Sequence, residues 1–192
     1  MLNKKLILSL FCSLFSLLIF AQGGQDVKDL SYRQRFFFGG DLGLSFGTNT
    51  YINLAPIVGY RITNRLSAGL GPIYIFEKYK YYDLQTSTYG GKALLSFAVI
   101  RNVYEYVNIG IGSILLHAEN ELINLQKVEY DPTFNKIYAL NERLWIDNLL
   151  AGIGLNFPFS DRAGINIYAL WDVTQNDYSP YSNPVIRLGF YF

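Results

Sequence analysis

The sequence predicts an all-β chain: an eight-stranded antiparallel up-and-down transmembrane β-barrel preceded by an N-terminal signal peptide. Three observations predict it. Apolar residues recur at every second position from Phe36 onward, the period of a strand with two unlike faces. The segments that carry them are separated by clusters of Gly, Asn, Asp, Ser and Thr, the residues of turns. The chain is also apolar overall, 51% hydrophobic and 17% aromatic with only 16% charge, yet past residue 20 no run is long enough for a spanning helix.

The first element is the export segment. Lys4 and Lys5 precede an apolar run from Leu6 to Phe20, and Ala21 and Gln22 follow, the layout of a secretory signal peptide over residues 1–21. Gly23, Gly24, Gln25 and Asp26 come next, so no positive stop-transfer cluster holds the run in a bilayer. Cys12 lies in the middle of the run with apolar residues on both sides, whereas a lipid-modified cysteine closes its hydrophobic segment. Residues 22–35 read as a short periplasmic leader and residues 36–192 as one barrel domain.

Charge and cysteine usage exclude whole classes. The first 21 residues hold two lysines and no acid, so the 16 basic and 15 acidic residues of the full chain leave the remainder nearly neutral. Nothing in that balance points to a nucleic-acid partner. With Cys12 in the export segment and His117 the single histidine, neither a disulfide framework nor a Cys/His zinc spacing is available, and no cofactor is expected.

Eight segments show the alternation: 36–46, 50–61, 66–78, 88–100, 103–117, 143–157, 163–173 and 183–192. Each is near the roughly 9–11 residues that a tilted strand needs to cross a bilayer. In the first, Phe38, Leu42 and Leu44 oppose Asp41, Gly43 and Ser45; in the second, Leu54, Val58 and Tyr60 oppose Asn53, Ala55 and Gly59. The third sets Leu70, Tyr74 and Phe76 against Gly69, Gly71 and Glu77, and the fifth sets Val107, Ile109 and Ile111 against Asn108, Gly110 and Gly112. Leu149, Ile153 and Leu155 face away from Gly152, Gly154 and Asn156, as Ile165, Ile167 and Trp171 do from Gly164, Asn166 and Asp172. A soluble sandwich would put its bulky face inside and Lys, Glu and Thr outside. Here the polar face is rich in glycine, which suits a cramped lumen.

Connections alternate between tight (62–65, 101–102, 158–162) and longer (79–87, 118–142, 174–182), with 47–49 a short exception among the outer loops. The stretch 118–142 is expected to be a long external loop. Pro56 and Pro72 cannot donate to a ladder, and they fall nearly opposite each other about the turn at Thr63 and Asn64, which predicts a shared bulge or a local pairing break. Lys78, Tyr79, Lys80, Tyr81 and Tyr82, with Tyr89 on the return, place rings and cations at an expected interfacial girdle.

The chain ends with Ile186, Leu188, Phe190 and Phe192 at alternate positions and an aromatic residue last. This looks like the C-terminal strand signal by which outer-membrane barrels are recognised for assembly. With the eight segments, it makes residues 36–192 similar to the small OmpX/OmpA-type barrel family. The resemblance implies a monomeric, porin-like barrel of the bacterial outer membrane, surrounded by outer-membrane lipid and inserted by the assembly machinery. Family roles range from adhesion to membrane anchoring, and, unlike in the two-domain members, no peptidoglycan-binding domain is expected after the eighth strand.

The candidate site is a set of lumen-phase ions, Asp41, Arg61, Glu77, Lys92, Asp172 and Arg187. Barrel closure sets strand eight beside strand one and brings Arg187 toward Asp41; Glu77 and Lys92 on neighbouring strands are expected to pair likewise. A narrow polar lumen makes such a network a structural plug, and an eight-stranded barrel has no room for a solute-sized pore. An envelope or loop-mediated interaction role follows, with no catalytic residue and no metal site. The rival is an outer-membrane acyl hydrolase or lipid A-modifying enzyme. His117 is its single candidate base. Ser113 lies four residues away, about 13 Å along a strand, and a serine on another strand is left open. The plainer expectation puts His117 at an exposed rim, and Glu119, Glu121, Glu129 and Asp131 in a solvated loop without the spacing of a calcium site.

Overall fold

The computed structural model describes residues 27–45, 49–82, 84–106, 110–131, 136–160, 162–174 and 179–192. The predicted export segment, residues 1–21, and the short connection at residues 47 and 48 lie outside them. Eight strands form one closed antiparallel barrel in sequence order: β1 (Phe36–Ser45), β2 (Asn49–Arg61), β3 (Leu66–Tyr79), β4 (Leu84–Arg101), β5 (Ser113–Asp131), β6 (Lys136–Pro158), β7 (Gly164–Asp172) and β8 (Val185–Tyr191). The seam closes where Asp41 meets Gly189, and Phe38 and Phe192 exchange both backbone hydrogen bonds at 2.9 and 2.8 Å. Closure leaves no free strand edge around the cylinder.

The alternation read from the sequence is the alternation of the wall. On β3, Leu70 and Tyr74 are exposed at 67% and 44%, while Ile73 and Ile75 are buried at 3% and 6%. The same outward exposure recurs at Phe38, Leu54, Leu95, Leu116, Ile153, Ile167 and Leu188, one or more on every strand. Large apolar side chains therefore ring the outside of the barrel.

Glycine sets how closely the inside packs. A Cβ at Gly59 would meet the Phe37 ring, and one at Gly154 would stand 2.5 Å from the Tyr168 ring. At Gly152 the obstacle is the Ala169 carbonyl oxygen, 2.0 Å away, which cannot swing aside. Gly152→Val is therefore expected to cost about 1–3 kcal/mol through forced backbone movement. Gly91→Ala, with its nearest atom 3.7 Å off, is expected to be near neutral. Denaturant midpoints of the two variants in detergent check the contrast.

The expected disturbance at the prolines is present as a pairing break. Leu54 pairs with Tyr74 and Val58 with Leu70, and the ladder lapses between them with no slip in register, so there is no bulge. Gly71 and Gly40 make this waist possible. A Cβ at Gly71 would lie 1.9 Å from the Pro56 carbonyl oxygen, and Gly40 has φ +153° with the Ala55 carbonyl oxygen 2.4 Å from a Cβ position.

Two expectations fail between β4 and β6. The fifth strand does not occupy residues 103–117. Asn102 turns the chain with φ 55°, a one-turn helix α1 (Val103–Tyr106) follows and buries Val103, and β5 begins at Ser113. Asn is among the few residues that visit the left-handed region readily. Val107 and Ile109, used to phase that segment, lie outside the described residues. Nor is 118–142 a loop: 118–131 belongs to β5 and 136–142 to β6. The acids that made this stretch look solvated, Glu119 and Glu121, point into the lumen and are ion-paired there.

β5 and β6 consequently overreach their neighbours. The β4 ladder on β5 stops at Asn124 and the β7 ladder on β6 stops at Leu150, while β5 and β6 pair with each other out to Asp131 and Lys136. A two-stranded arm thus rises from the end of the barrel opposite Phe36 and Phe192. Lys127 Nζ and Glu142 Oε2 pair across it at 2.9 Å, and that hydrogen bond and charge hold the Glu142 carboxyl below its ordinary range. At its root, Arg143 lies 4.4 Å from the centre of the Tyr89 ring, and Tyr89 meets Trp145 edge-on at 6.4 Å. Arg143 also donates to the backbone of Ser87 and Asn124. These rings, with Tyr81 and Tyr82 in contact at 4.9 Å, form the aromatic collar expected near that level.

Candidate functional site

Four strands deliver charge to one point inside the barrel: Asp41 from β1, Lys92 from β4, Glu119 and Glu121 from β5, and Arg187 from β8. All five side chains are at least nine-tenths buried. Lys92 Nζ is bonded to Asp41 and lies 3.4 Å from Glu119 Oε2. Arg187 Nη1 stands 2.8 Å from Glu121 Oε1, 3.1 Å from Glu119 Oε2 and 3.7 Å from Asp41 Oδ2. The contact to Glu121 Oε1 is an ion contact without hydrogen-bond alignment. Gly189 clears the way for Asp41, since a Cβ there would lie 2.9 Å from Asp41 Oδ1. Three carboxylates and two fixed cations out of water are tolerable only because each has an opposite charge in contact.

A second row joins the first through Glu119. His117 Nε2 is 2.8 Å from Glu119 Oε1, and His117 Nδ1 is 3.1 Å from Ser96 Oγ on β4. Ser96 and His117 are register partners on adjacent strands, which fixes their side chains on the same face. The imidazole stacks on Tyr168 with ring centres 4.1 Å apart and an interplanar angle of 28°. His117 is thus buried at 3% exposure rather than placed at a rim.

Toward the arm, the lumen is filled by apolar side chains. Ala55, Ile73, Ile75, Ile123 and Ile146 form one buried cluster, with Tyr51, Leu125 and Leu144 packed on it. Tyr181, from the β7–β8 connection, donates to Glu121 Oε2 at 2.5 Å; burial raises its hydroxyl well above the ordinary tyrosine range, so it stays a donor. Toward the chain termini the lumen widens into a cavity of about 900 Å³. Ser96, His117 and Glu119 are on its wall, and Arg61, Arg65, Arg101 and Arg162 are among the residues around it. Val27, in a short 3-10 turn (Val27–Asp29), and Leu30, just after it, are buried and reach the same cavity, and Val27 N donates to Asn64 Oδ1 at 2.7 Å.

Of the six ions singled out from the sequence, the structure brings three together: Asp41, Lys92 and Arg187. Arg61 lines the cavity instead. Asp172 works at the far end of β7, accepting from Thr174 Oγ1 at 2.8 Å and from Ser179 Oγ at 2.5 Å. Glu77 does not pair with Lys92. The β3–β4 register sets Glu77 opposite Thr86 and Lys92 opposite Gly71, so the two charges sit at different heights. His117, Glu119 and Glu121 were missed as lumen residues, although Leu116, Ala118 and Leu122 alternate with them in the sequence. Glu119 and Glu121 are no calcium site, being occupied by cations of the protein itself. Among the described residues no group of His, Cys, Asp and Glu is arranged to hold a metal.

No protein-family model and no curated protein matches the chain. Among solved structures, it is similar to the N-terminal β-barrel domain of Pseudomonas aeruginosa OprF, at 12% identity and a TM-score of 0.42, covering 82% of this chain and 98% of that one. Eight antiparallel strands in an up-and-down closed barrel is an architecture that small outer-membrane barrels share with soluble lipocalins.

Proposed function

We propose that the protein is an integral β-barrel of the bacterial outer membrane, with a plugged lumen, serving the envelope as a scaffold and through the β5–β6 arm. The supporting observation is the ring of large apolar side chains on the outside of a closed cylinder. In water such a surface drives association; in hydrocarbon it is the favourable one. Outer-membrane lipid is then the main partner, and Ile186, Leu188, Phe190 and Phe192 on the closing strand offer the assembly machinery its signal. A monomer suffices, because the barrel closes on its own strands.

The plug is the ion cluster together with the isoleucine cluster stacked toward the arm. Passage of a solute would separate buried ions from their partners, a loss of several kcal/mol per ion. Native chain separated on a density gradient is expected in the outer-membrane fraction and, purified into planar bilayers, to give no stable conductance steps. Recovery in the aqueous fraction would overturn the membrane reading; regular steps would overturn the plug.

A further inference from the structure

We infer that Ser96 is an activated nucleophile and that the cavity beside it is a hydrolytic site for small, water-soluble acyl esters bearing an anionic group. The inference needs only the geometry of the lumen and stands or falls apart from where the barrel resides. Ser96 Oγ, His117 and Glu119 form an unbroken row at 3.1 and 2.8 Å, the arrangement of nucleophile, base and orienting acid. The second carboxylate oxygen of Glu119 faces Lys92 and Arg187, which fixes the acid in place. Accepting the His117 Nε2 proton at its first oxygen, Glu119 leaves Nδ1 with its lone pair toward the Ser96 hydroxyl.

The row lies on the wall of the 900 Å³ cavity rather than in packed protein, and a space of that size admits a small organic molecule. Tyr168 lines the same cavity with its ring stacked on His117, and its hydroxyl is a donor on that wall for an oxyanion forming at Ser96. Arg61, Arg65, Arg101 and Arg162 around the cavity favour a substrate with a carboxylate or phosphate. A structural plug accounts for Lys92, Arg187 and the carboxylates. It does not require a serine and a histidine aligned on the open side of one of them.

In the first half-reaction, Ser96 Oγ bonds to the ester carbonyl carbon and its proton passes to His117 Nδ1. The carbon–oxygen bond to the alcohol then breaks, and the alcohol leaves with that proton. In the second, His117 takes a proton from water, the hydroxide attacks the acyl-serine, and the carboxylic acid departs as Ser96 regains its proton. Atoms balance with water as the single co-reactant.

The test treats the folded full chain in detergent with a fluorophosphonate, which phosphonylates activated serines, and locates the adduct by peptide mass. Adduct is expected on Ser96 and not on Ser67, Ser113 or Ser160, which line the same cavity. It should be absent in Ser96→Ala and form at least a hundredfold more slowly in His117→Asn, with folding of each variant confirmed by heat-shifted gel mobility. The wild-type protein should also turn over the anionic 4-nitrophenyl succinate faster than neutral 4-nitrophenyl acetate. Unlabelled Ser96, labelling spread evenly over the cavity serines, or an unchanged rate in folded His117→Asn would overturn the inference. Should His117→Asn not fold, the comparison among the four cavity serines decides.

Discussion

Arg187→Leu is expected to lower the stability of the barrel by about 3–5 kcal/mol, the loss that follows when one partner of a buried ion pair is removed. Arg187 is the common neighbour of Asp41, Glu119 and Glu121, within 3.7 Å of all three. Without it, three carboxylates remain around the single fixed charge of Lys92, in a space where none is more than a tenth exposed. Leucine keeps much of the volume, so the loss reads charge rather than packing. Adding Glu121→Gln to the same chain should return part of it, because one uncompensated charge is removed. Urea titration of folded and unfolded bands in detergent measures both. A loss under about 1 kcal/mol would mean that the cluster is solvated and is not a plug.

Ile153→Arg is expected to cost about 2–4 kcal/mol in lipid, the depth-dependent penalty for a cation on the lipid face near the middle of the bilayer. Ile153 is 54% exposed on the outer wall, and its ladder partners, Leu116 of β5 and Ala169 of β7, tie it into the middle of the cylinder. Val128→Arg, equally exposed at 51% but on the arm, should change stability by no more than about 0.5 kcal/mol. Reversible unfolding from vesicles distinguishes the two sites, and equal effects would remove the distinction between lipid-facing wall and water-facing arm.

The strands near both ends of the chain were legible because their outer face has one chemical character. Leu54, Val58 and Tyr60 make an oily outer face, while the inner face mixes Asn53, Ala55 and Gly59 with the buried Ile57. Arg187 beside Asp41 was legible for a topological reason: an even number of up-and-down strands must close, and closure leaves β8 against β1. Glu77 and Lys92 show where that reasoning stops. Adjacency of strands does not set height, and height is set by register, which depends on turn geometry and on where each strand begins.

The centre of the chain was misread because a charge inside a strand looks like a charge in a loop until its partner is known. Glu119 and Glu121 draw their partners from β4, where Lys92 lies 27 residues before Glu119, and from β8, whose Arg187 lies 66 or more residues on and meets them across the lumen once the barrel has closed. The decoy was the alternation of Val107, Ile109 and Ile111 with Asn and Gly, which has the right period. Strand β5 nonetheless starts only at Ser113, beyond the turn at Asn102 and the helix that buries Val103. Ser96 and His117, apart from their polarity, carry no mark in the sequence, since their meeting depends on the β4–β5 register alone.

The central claim concerns which solvent meets the outer wall. Nitroxide labels at Leu54, Leu116 and Ile167, all outward and 41–52% exposed, report it directly when the barrel is reconstituted in vesicles. Collisional broadening by oxygen, which concentrates in hydrocarbon, is expected to dominate at all three, with little from a water-soluble nickel complex. Broadening dominated by nickel at these positions would mean that the wall faces water, and the transmembrane reading would be wrong.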